Sequence, residues 1–437
     1  MASPPKFPSV ETLSSAQGNP LEWDRTHVWH PFTQMQEWCA SDPVCLVEAQ
    51  GARLRDSEGN WYIDGNASIW TNIHGHRHPR LDAALQKQLG RFAHTSFLGF
   101  THPLAAQLCA ELCALWPPNT LTRAFLSDNG STAIEVALKM AAQYWQMLQK
   151  PQRRRLVAFH GAYHGDTMGA SSLCGVPLFA ERFSAWQFPV ELVDSAEALE
   201  KLPAEEIAAV VIEPLVQGAN QMRLWPAGLL SSVRAWCDRF GVLLIADEVM
   251  TGFGRTGTLF ACEQESVVPD FVALAKGLTG GYMPLAATLT TENIFRAFLG
   301  GPERTLYYGH SYCGHALACA VALENLAIFR EEGVLTRLQN QIVLLKTLLE
   351  RELKPLPNVY QVRHVGFLAG IELRHPDGAP FAPELGMGAK VCRAARGFGL
   401  LTRPIRDTVV LMPPYCITDA QLSQAVGAIA AALRSCC

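Results

Sequence analysis

Two segments of this 437-residue chain decide its fold: Val242-Leu243-Leu244-Ile245-Ala246-Asp247-Glu248 and Phe271-Val272-Ala273-Leu274-Ala275-Lys276-Gly277. Each begins with a short run of apolar residues and then turns polar, which is typical of a strand that is covered on both faces. Three further apolar runs lie at residues 124–126, 156–159 and 208–212. Because helical patterns separate these runs, the sequence predicts an α/β domain with a mostly parallel sheet.

One of the intervening helices carries clear local signals. Apolar residues recur there at steps of three and four, at Ile134, Leu138, Ala141, Trp145 and Leu148. Thr132 and Glu135 have the spacing of a capping box, which predicts the helix start. The preceding residues 128–131, Asp-Asn-Gly-Ser, predict a tight turn.

The two ends of the chain differ from its middle. Residues 51–64 predict a hairpin that turns at residues 58–60, and residues 334–353 predict amphipathic helices. Short strands are expected near residues 367–373 and 409–411. We therefore expect four parts: a mobile lead-in at 1–20, a segment 21–75 that contributes to a small domain, a large domain at 76–325, and the C-terminal small domain at 326–437.

Composition excludes several classes of protein. With 49% hydrophobic and 17% charged residues, the chain is expected to be globular. Its formal net charge of −4 gives no basic excess for nucleic-acid binding. No stretch is long and apolar enough for a membrane span, and the N-terminus lacks the apolar core of a secretory signal. The 13 cysteines contain no CxxC pair, so we expect no metal site and a reduced, cytoplasmic location.

Polar or glycine-rich groups follow all five apolar runs. They lie at residues 127–131, 160–166, 213–218, 247–248 and 276–277. Ligands of open α/β sheets bind outside the carboxyl ends of the strands. Contact with solvent is enough to explain polar residues at a single strand end. Polar or glycine-rich groups at five strand ends together predict one shared ligand site.

The residue types at these strand ends predict the ligand. Gly130 and Ser131 at a helix start offer backbone N–H groups to a phosphate, although the same turn would also serve as an ordinary N-cap. Lys276 behind a buried strand is suited to a Schiff base with an aldehyde. Asp247 is suited to keep a pyridine nitrogen protonated, and Tyr163 to stack on the ring. Together these groups describe pyridoxal 5′-phosphate.

A glycine motif in the same region points to another cofactor. Residues 252–257, Gly-Phe-Gly-Arg-Thr-Gly, fit the GxGxxG pattern. The dinucleotide fingerprint also requires an acidic residue at the end of the next strand, where this chain has Lys276. Asp270 stands at the opposite end of that strand. We therefore expect these glycines to shape a backbone turn beside the site.

The combined spacing resembles the signature of the class III pyridoxal-phosphate aminotransferases. The matching residues are 246–249 (Ala-Asp-Glu-Val), the glycine motif at 252–257, and 275–277 (Ala-Lys-Gly). The resemblance implies the fold type I of pyridoxal-phosphate-dependent transferases, with a large domain and a smaller α/β domain built from both chain ends. It also implies a homodimer whose active sites lie at the subunit interface.

Further stretches resemble the branch of this family that acts in biotin synthesis. They include residues 29–33 (Trp-His-Pro-Phe-Thr), 161–167 (Gly-Ala-Tyr-His-Gly-Asp-Thr) and 411–415 (Leu-Met-Pro-Pro-Tyr). The resemblance implies transfer of an amino group to 8-amino-7-oxononanoate, which gives 7,8-diaminononanoate. S-adenosylmethionine is the donor that this branch implies.

The resemblance also implies roles for individual residues at the cofactor. Lys276 is expected to form the Schiff base and to carry the proton, while Asp247 pairs with the pyridine nitrogen. Gly130 and Ser131 are expected to bind the phosphate. The position from which a neighbouring subunit reaches that phosphate is occupied by His310 and Ser311.

The expected substrate contacts are more widely spread along the chain. Tyr163 is expected to act in catalysis, to stack on the cofactor and to line the substrate channel beside Lys276. Arg403 is expected to bind the substrate carboxylate, since its planar guanidinium matches that group. The remaining expected contacts are Phe32, Trp70 and Gly309.

The sequence departs from the better-known members at Phe32, Ile69 and Val410, where they carry Tyr, Trp and Tyr. These changes resemble a branch thought to take its amino group from lysine, so the donor stays open between lysine and S-adenosylmethionine. A general ω-amino-acid transaminase and an aminomutase with the same cofactor are alternative functions. A non-catalytic cofactor-binding protein is a third, but it has no need of Lys276.

Overall fold

The computed structural model describes residues 19–436 and divides them into two compact units. The smaller unit includes residues 19–49 and 54–61, with helices at Pro20–His27 and Met35–Ala40 and the strand Leu46–Gln50 at its end. The predicted hairpin is confirmed, because the strands Arg53–Asp56 and Trp61–Asp64 flank the expected turn. Residues 1–18 of the predicted lead-in lie outside the described residues.

Seven strands form the central sheet of the larger unit, in the order Leu121–Ser127, Ala286–Thr291, Phe271–Leu274, Leu243–Asp247, Ile207–Ile212, Arg155–Phe159 and Val190–Val193. The last five strands pair in parallel, whereas Ala286–Thr291 is antiparallel to both of its neighbours. The five predicted runs are therefore strands, and the mostly parallel α/β sheet is confirmed. The strands Ala286–Thr291 and Val190–Val193 were not predicted.

The apolar runs are continuous because both faces of the central strands are covered. In the strand Ile207–Ile212, Val210 packs into one apolar cluster with Trp236, while the adjacent Val211 packs into another with Trp145. The helices that accompany the sheets in the larger unit are Pro79–Leu89, Pro103–Ala114, Gly130–Met147, Met168–Ser172, Pro177–Ala180, Leu229–Phe240, Glu292–Ala297, Ala316–Glu331, Val334–Leu348, Met387–Ala395 and Asp419–Cys436.

The helix Gly130–Met147 confirms the predicted helix but corrects its cap. Asn129, and not Thr132, is the N-cap: its side chain accepts from the Thr132 N–H, and the Thr132 hydroxyl accepts from the Asn129 N–H. Glu135 instead accepts hydrogen bonds from the Thr167 hydroxyl and the Ala170 N–H. The predicted capping box between Thr132 and Glu135 is therefore wrong. The Glu135 carboxylate accepts from residues distant in sequence and does not cap this helix.

The C-terminal part contains the predicted helices and strands. The helix Val334–Leu348 continues as a π-helical turn, Leu349–Leu353. A four-stranded antiparallel sheet follows, in the order Val359–Val365, Leu368–Leu373, Thr408–Leu411 and Pro404–Ile405.

The strand Leu400–Leu401 pairs in parallel with Ile63 and Asp64, so the segment before residue 75 contacts the C-terminal part. The domain boundaries after residues 75 and 325 stay predictions. Among residues 19–436, no helix is long and apolar enough to cross a membrane. The cysteines of the same range form no disulfide bonds.

Candidate active site

A cavity of about 510 Å³ opens at the carboxyl ends of the parallel strands in the larger unit. Lys276 and Asp247 enter it from two adjacent strands, Phe271–Leu274 and Leu243–Asp247. Six of the residues predicted for the site line this cavity: Trp70, Gly130, Ser131, Tyr163, Asp247 and Lys276.

Lys276 occupies an unusual backbone and side-chain environment. It follows the strand at φ +43°, in the left-handed region that non-glycine residues rarely adopt. Burial of its amine lowers the pKa, and the nearby carboxylates of Asp247 and Glu213 oppose only part of that effect. The Nζ atom lies 4.7 Å from the ring centroid of Trp70. Burial and the contact with Trp70 therefore set this amine apart from an exposed lysine.

Asp247 is held by two donors. His164 Nδ1 lies 2.7 Å from one carboxylate oxygen, and the Val249 N–H donates to the other at 3.0 Å. The His164 side chain is fully buried; burial lowers its pKa, but the hydrogen bond and charge of Asp247 outweigh burial, so the pKa is raised. Among the described residues, the buried Nε2 of His164 has no hydrogen-bond partner, so the contact through Nδ1 is what fixes the ring against the Asp247 carboxylate.

Glu213 adds a second buried carboxyl group to the cavity wall. It accepts hydrogen bonds from the backbone N–H groups of Tyr163 (3.1 Å) and Gly218 (3.0 Å). Burial raises its pKa to about 7. Sequence reasoning assigned no role to Glu213 or His164, although both lie in the polar segments that follow apolar runs.

The start of the Gly130–Met147 helix forms the opposite wall. Within residues 19–436, the backbone N–H groups of Gly130 and Ser131 have no hydrogen-bond acceptor. An added Cβ at Gly130 would meet Val249 Cγ1 at 2.7 Å, so this approach requires glycine. Ser131 Oγ accepts from the Asp166 N–H, and Asp166 accepts from the Tyr163 hydroxyl. The wall offers two free donors to an anion.

Several predicted residues do not line this cavity. His310 Nε2 lies 3.5 Å from Oδ1 of Asp128, which is a cavity residue of the same chain. Gly309, Ser311 and Arg403 are exposed outside the lining. Phe32 belongs to the smaller unit.

The two other positions that depart from the better-known members are also outside the lining. Ile69 is 42% exposed on the surface. Val410 is buried in an apolar cluster with Met250 and Met412, and of these three only Met250 reaches the cavity. Trp70, another cavity residue, packs against the same cluster.

The glycine motif at residues 252–257 forms turns and not the start of a helix. Its Arg255 is buried and donates to the Pro413 carbonyl at 2.7 Å. The predicted backbone turn is confirmed, and its neighbour Thr251 lines the cavity.

Comparisons with known proteins agree with this geometry. The model of the class III aminotransferases matches residues 35–433. The adenosylmethionine-8-amino-7-oxononanoate aminotransferase of Nitratidesulfovibrio vulgaris is 46% identical over 438 residues, which cover 94% of this chain and 80% of that relative.

Solved structures of similar proteins confirm the fold. The crystal structure of the enzyme of the same name from Methanocaldococcus jannaschii superposes with a TM-score of 0.93 at 35% identity and covers 95% of this chain and 98% of that one. A PLP-bound amine transaminase from an uncultivated Pseudomonas species has a TM-score of 0.87 at 31% identity, covering 94% and 99%. The predicted fold class is confirmed, and the chain belongs to the class III family of aminotransferases.

Proposed function

We propose that this chain transfers an amino group to 8-amino-7-oxononanoate in biotin synthesis, with pyridoxal 5′-phosphate as cofactor. The observation that carries the proposal is the buried Lys276 amine beside the Asp247–His164 pair, at the edge of the sheet. The substrate is supported by the names of relatives that match nearly the whole chain.

The residues of the cavity fit this cofactor. The free N–H groups of Gly130 and Ser131 suit its phosphate, because a helix N-terminus favours an anion. Asp247 suits a protonated ring nitrogen, since His164 and Val249 already hold its carboxylate in one orientation. Lys276 suits the aldehyde group.

When bound, pyridoxal 5′-phosphate supplies an electron sink for the pair released from the substrate Cα–H bond. Asp247 would hold the protonated ring nitrogen of this cofactor, and the hydrogen bond from His164 orients the Asp247 carboxylate for that contact. Both residues are buried, so the contact would lie in a region of low dielectric constant.

Lys276 moves the proton. Its Nζ would accept the substrate proton and return it to the acceptor carbon, and the burial that lowers the pKa of the amine favours this role. Trp70 covers this amine on one side at 4.7 Å and limits the access of water. Tyr163 also lines the cavity, and Glu213 accepts a hydrogen bond from its backbone N–H.

The remaining contacts are proposed for a homodimer with shared sites. His310 lies beside Asp128 at the rim, and the exposed side chains of Tyr307 and Tyr312 flank this loop. In the dimer, Gly309, His310 and Ser311 would complete the phosphate and substrate contacts. Arg403 would bind the substrate carboxylate. Phe32 stays a proposed substrate contact. The cytoplasm remains the expected location.

S-adenosylmethionine is the proposed donor, in agreement with the names of the relatives. Lysine is the second candidate, because Phe32, Ile69 and Val410 resemble the branch thought to take its amino group from lysine. None of the three lines the cavity of this chain, so their effect on the choice of donor would be indirect or would arise in the dimer.

A coupled assay tests the proposal. Purified enzyme is mixed with 8-amino-7-oxononanoate and either S-adenosylmethionine, lysine or an ω-amino acid, and 7,8-diaminononanoate is measured by mass spectrometry. Product with one of the first two donors supports the proposed reaction. Turnover of ω-amino acids with simple keto acids, without 7,8-diaminononanoate, identifies a general ω-amino-acid transaminase instead. Product formed without any donor identifies an aminomutase.

The donor is resolved by half-reactions without the amino acceptor. Each donor is mixed with the cofactor-loaded enzyme, and the loss of visible absorbance is followed by stopped flow. If only S-adenosylmethionine bleaches the enzyme, the argument from the three apolar positions is wrong. Bleaching by lysine alone assigns this chain to the lysine-dependent branch.

A further inference from the structure

A left-handed turn at residues 67–70 lies beside the active-site lysine. Ala67, Ser68, Ile69 and Trp70 have φ values of 42°, 49°, 65° and 68°. None of them is glycine, asparagine or aspartate, and successive left-handed residues with a Cβ atom are unfavourable. The turn ends at Thr71, which returns to φ −95°. Its sequence alone therefore does not explain its conformation.

Asp64 supplies the missing stabilisation. Its side chain is 3% exposed, and its Oδ1 accepts hydrogen bonds from the backbone N–H groups of Asn66 (3.3 Å) and Ser68 (3.1 Å). Its Oδ2 accepts from the Ser68 hydroxyl at 3.0 Å and lies 3.0 Å from His76 Nε2. The buried Asp64 carboxylate thus accepts two hydrogen bonds from Ser68, one from the backbone N–H and one from the hydroxyl, and these hold the first half of the turn.

His76 joins the base of the turn to the same carboxylate. Its Nδ1 lies 3.0 Å from Asn72 Nδ2, so Nδ1 accepts from Asn72 and Nε2–H donates to Asp64. The backbone of Gly281 closes on Asn72 from the cavity side, where an added Cβ would lie 2.7 Å from Asn72 Cα. The turn is fixed at both ends.

The turn determines where the Trp70 ring lies. The Trp70 indole N–H donates to Asn66 Oδ1 at 2.8 Å, and the Trp70 backbone N–H donates to the Asn66 carbonyl at 2.8 Å. These bonds orient the ring so that its centroid is 4.7 Å from Lys276 Nζ. A relaxed right-handed turn would carry the Trp70 side chain in another direction, because the chirality of the backbone sets the direction of Cβ.

We propose that Asp64 is a positioning residue of the active site, which holds the left-handed turn and thereby sets the Trp70 ring over the Lys276 amine. It acts with His76 and is not one of the residues that line the cavity. The inference rests on the proposed function only in treating the Lys276 cavity as the active site. The position of Trp70 then governs how the substrate is held beside Lys276, so loss of Asp64 raises KM more than it lowers kcat.

Hydrogen–deuterium exchange on the full-length, cofactor-loaded enzyme without substrate tests the structural step. In Asp64→Asn, the amide carries no charge and cannot accept all of these bonds. Exchange over residues 66–72 is expected to accelerate about 10- to 100-fold, the effect of losing hydrogen bonds to a charged acceptor. Exchange in the strand Leu243–Asp247 should not change. Unchanged exchange over residues 66–72 overturns the proposal, whatever the substrate is.

Asp56→Asn is the matched control. Asp56 is also buried and accepts from the N–H groups of Glu58 and Asn60, but it closes the turn of a hairpin in the smaller unit. Its variant should accelerate exchange near residues 56–60 and leave KM unchanged. If Asp64→Asn does not fold, Ser68→Ala removes a single bond to Oδ2 and should accelerate exchange over residues 66–72 by about threefold.

Kinetics and rescue separate positioning from general destabilisation. KM for the amino acceptor should rise about tenfold or more in Asp64→Asn, with kcat within about threefold of wild type. Adding Ala67→Gly should restore KM about fivefold, because glycine adopts positive φ without the steric cost. A fall in kcat alone, or a failure of Ala67→Gly to restore KM, would show that Asp64 does not act through the turn.

Discussion

The charge on Asp247 provides the sharpest test of the proposed chemistry. Asp247→Asn keeps the size of the side chain but only one acceptor oxygen, so it can accept from either His164 (2.7 Å) or Val249 (3.0 Å) and not from both. The substitution removes the negative charge and one hydrogen bond. The fold should therefore persist, and the effect should fall on the charge that develops during proton removal.

The magnitude follows from the burial of the pair. Two unit charges 4 Å apart attract by about 4 kcal/mol at the effective dielectric constant of about 20 that describes most protein sites. Asp247 is 5% exposed, so water screens this interaction little. With a neutral asparagine, the attraction between this side chain and the charged ring nitrogen is absent from the transition state. A loss of about 4 kcal/mol lowers the rate about a thousandfold.

Single-turnover stopped flow with saturating donor measures this rate directly. Asp270→Asn is the matched control, because Asp270 begins the neighbouring strand and pairs with Arg234, away from the cavity. The control should lower the thermal unfolding midpoint and leave the rate unchanged. If Asp247→Asn binds cofactor fully and reacts within about tenfold of wild type, the ring nitrogen does not depend on this carboxylate.

Three further outcomes are expected. Lys276→Ala should abolish turnover, and borohydride reduction with peptide mapping should find no cofactor on another lysine. Gly130→Ala should weaken cofactor binding about tenfold in a fluorescence titration, because its Cβ meets Val249 at 2.7 Å, whereas Gly427→Ala, in open space, should not. The pKa of Glu213 is raised from 4.5 to about 7 in the folded protein. The contribution of Glu213 to the free energy of unfolding is therefore present at low pH and is lost as pH rises through about 7. In Glu213→Gln, the thermal unfolding midpoint should therefore fall less between about pH 5 and pH 8 than in wild type; an equal fall contradicts the assignment.

The sequence predicts the parts of the fold whose signals are local. Strands covered on both faces, such as Ile207–Ile212, need apolar residues at every position, and that requirement is visible in a single chain. The site residues at their ends follow from the same logic, since parallel strands bring their carboxyl ends to one edge. Lys276 and Asp247 were found in this way, and their place in one cavity agrees with it.

The features that escaped prediction depend on partners distant in sequence. The strand Ala286–Thr291 has a weak pattern of its own and forms because it pairs with Leu121–Ser127 and Phe271–Leu274. In the sequence, His164 resembles an ordinary loop histidine. Only the fold brings it next to Asp247, which lies at the end of a strand distant in sequence. The left-handed turn at residues 67–70 contains no glycine and depends on the carboxylate of Asp64.

The antiparallel strand Ala286–Thr291 has a consequence for how new specificities arise. It starts at the edge of the sheet where its two neighbouring strands end, so the short segment before it, residues 281–285, lines the cavity. Gly281 is pinned against Asn72, and Ala286 is pinned opposite Ser127. Between these anchors, the Tyr282 hydroxyl accepts from the His78 N–H and Leu285 is buried in the core, whereas Pro284 is exposed. A substitution at residue 284 can therefore change the lining of the cavity while the lysine and the helix start keep the spacing that the sheet imposes.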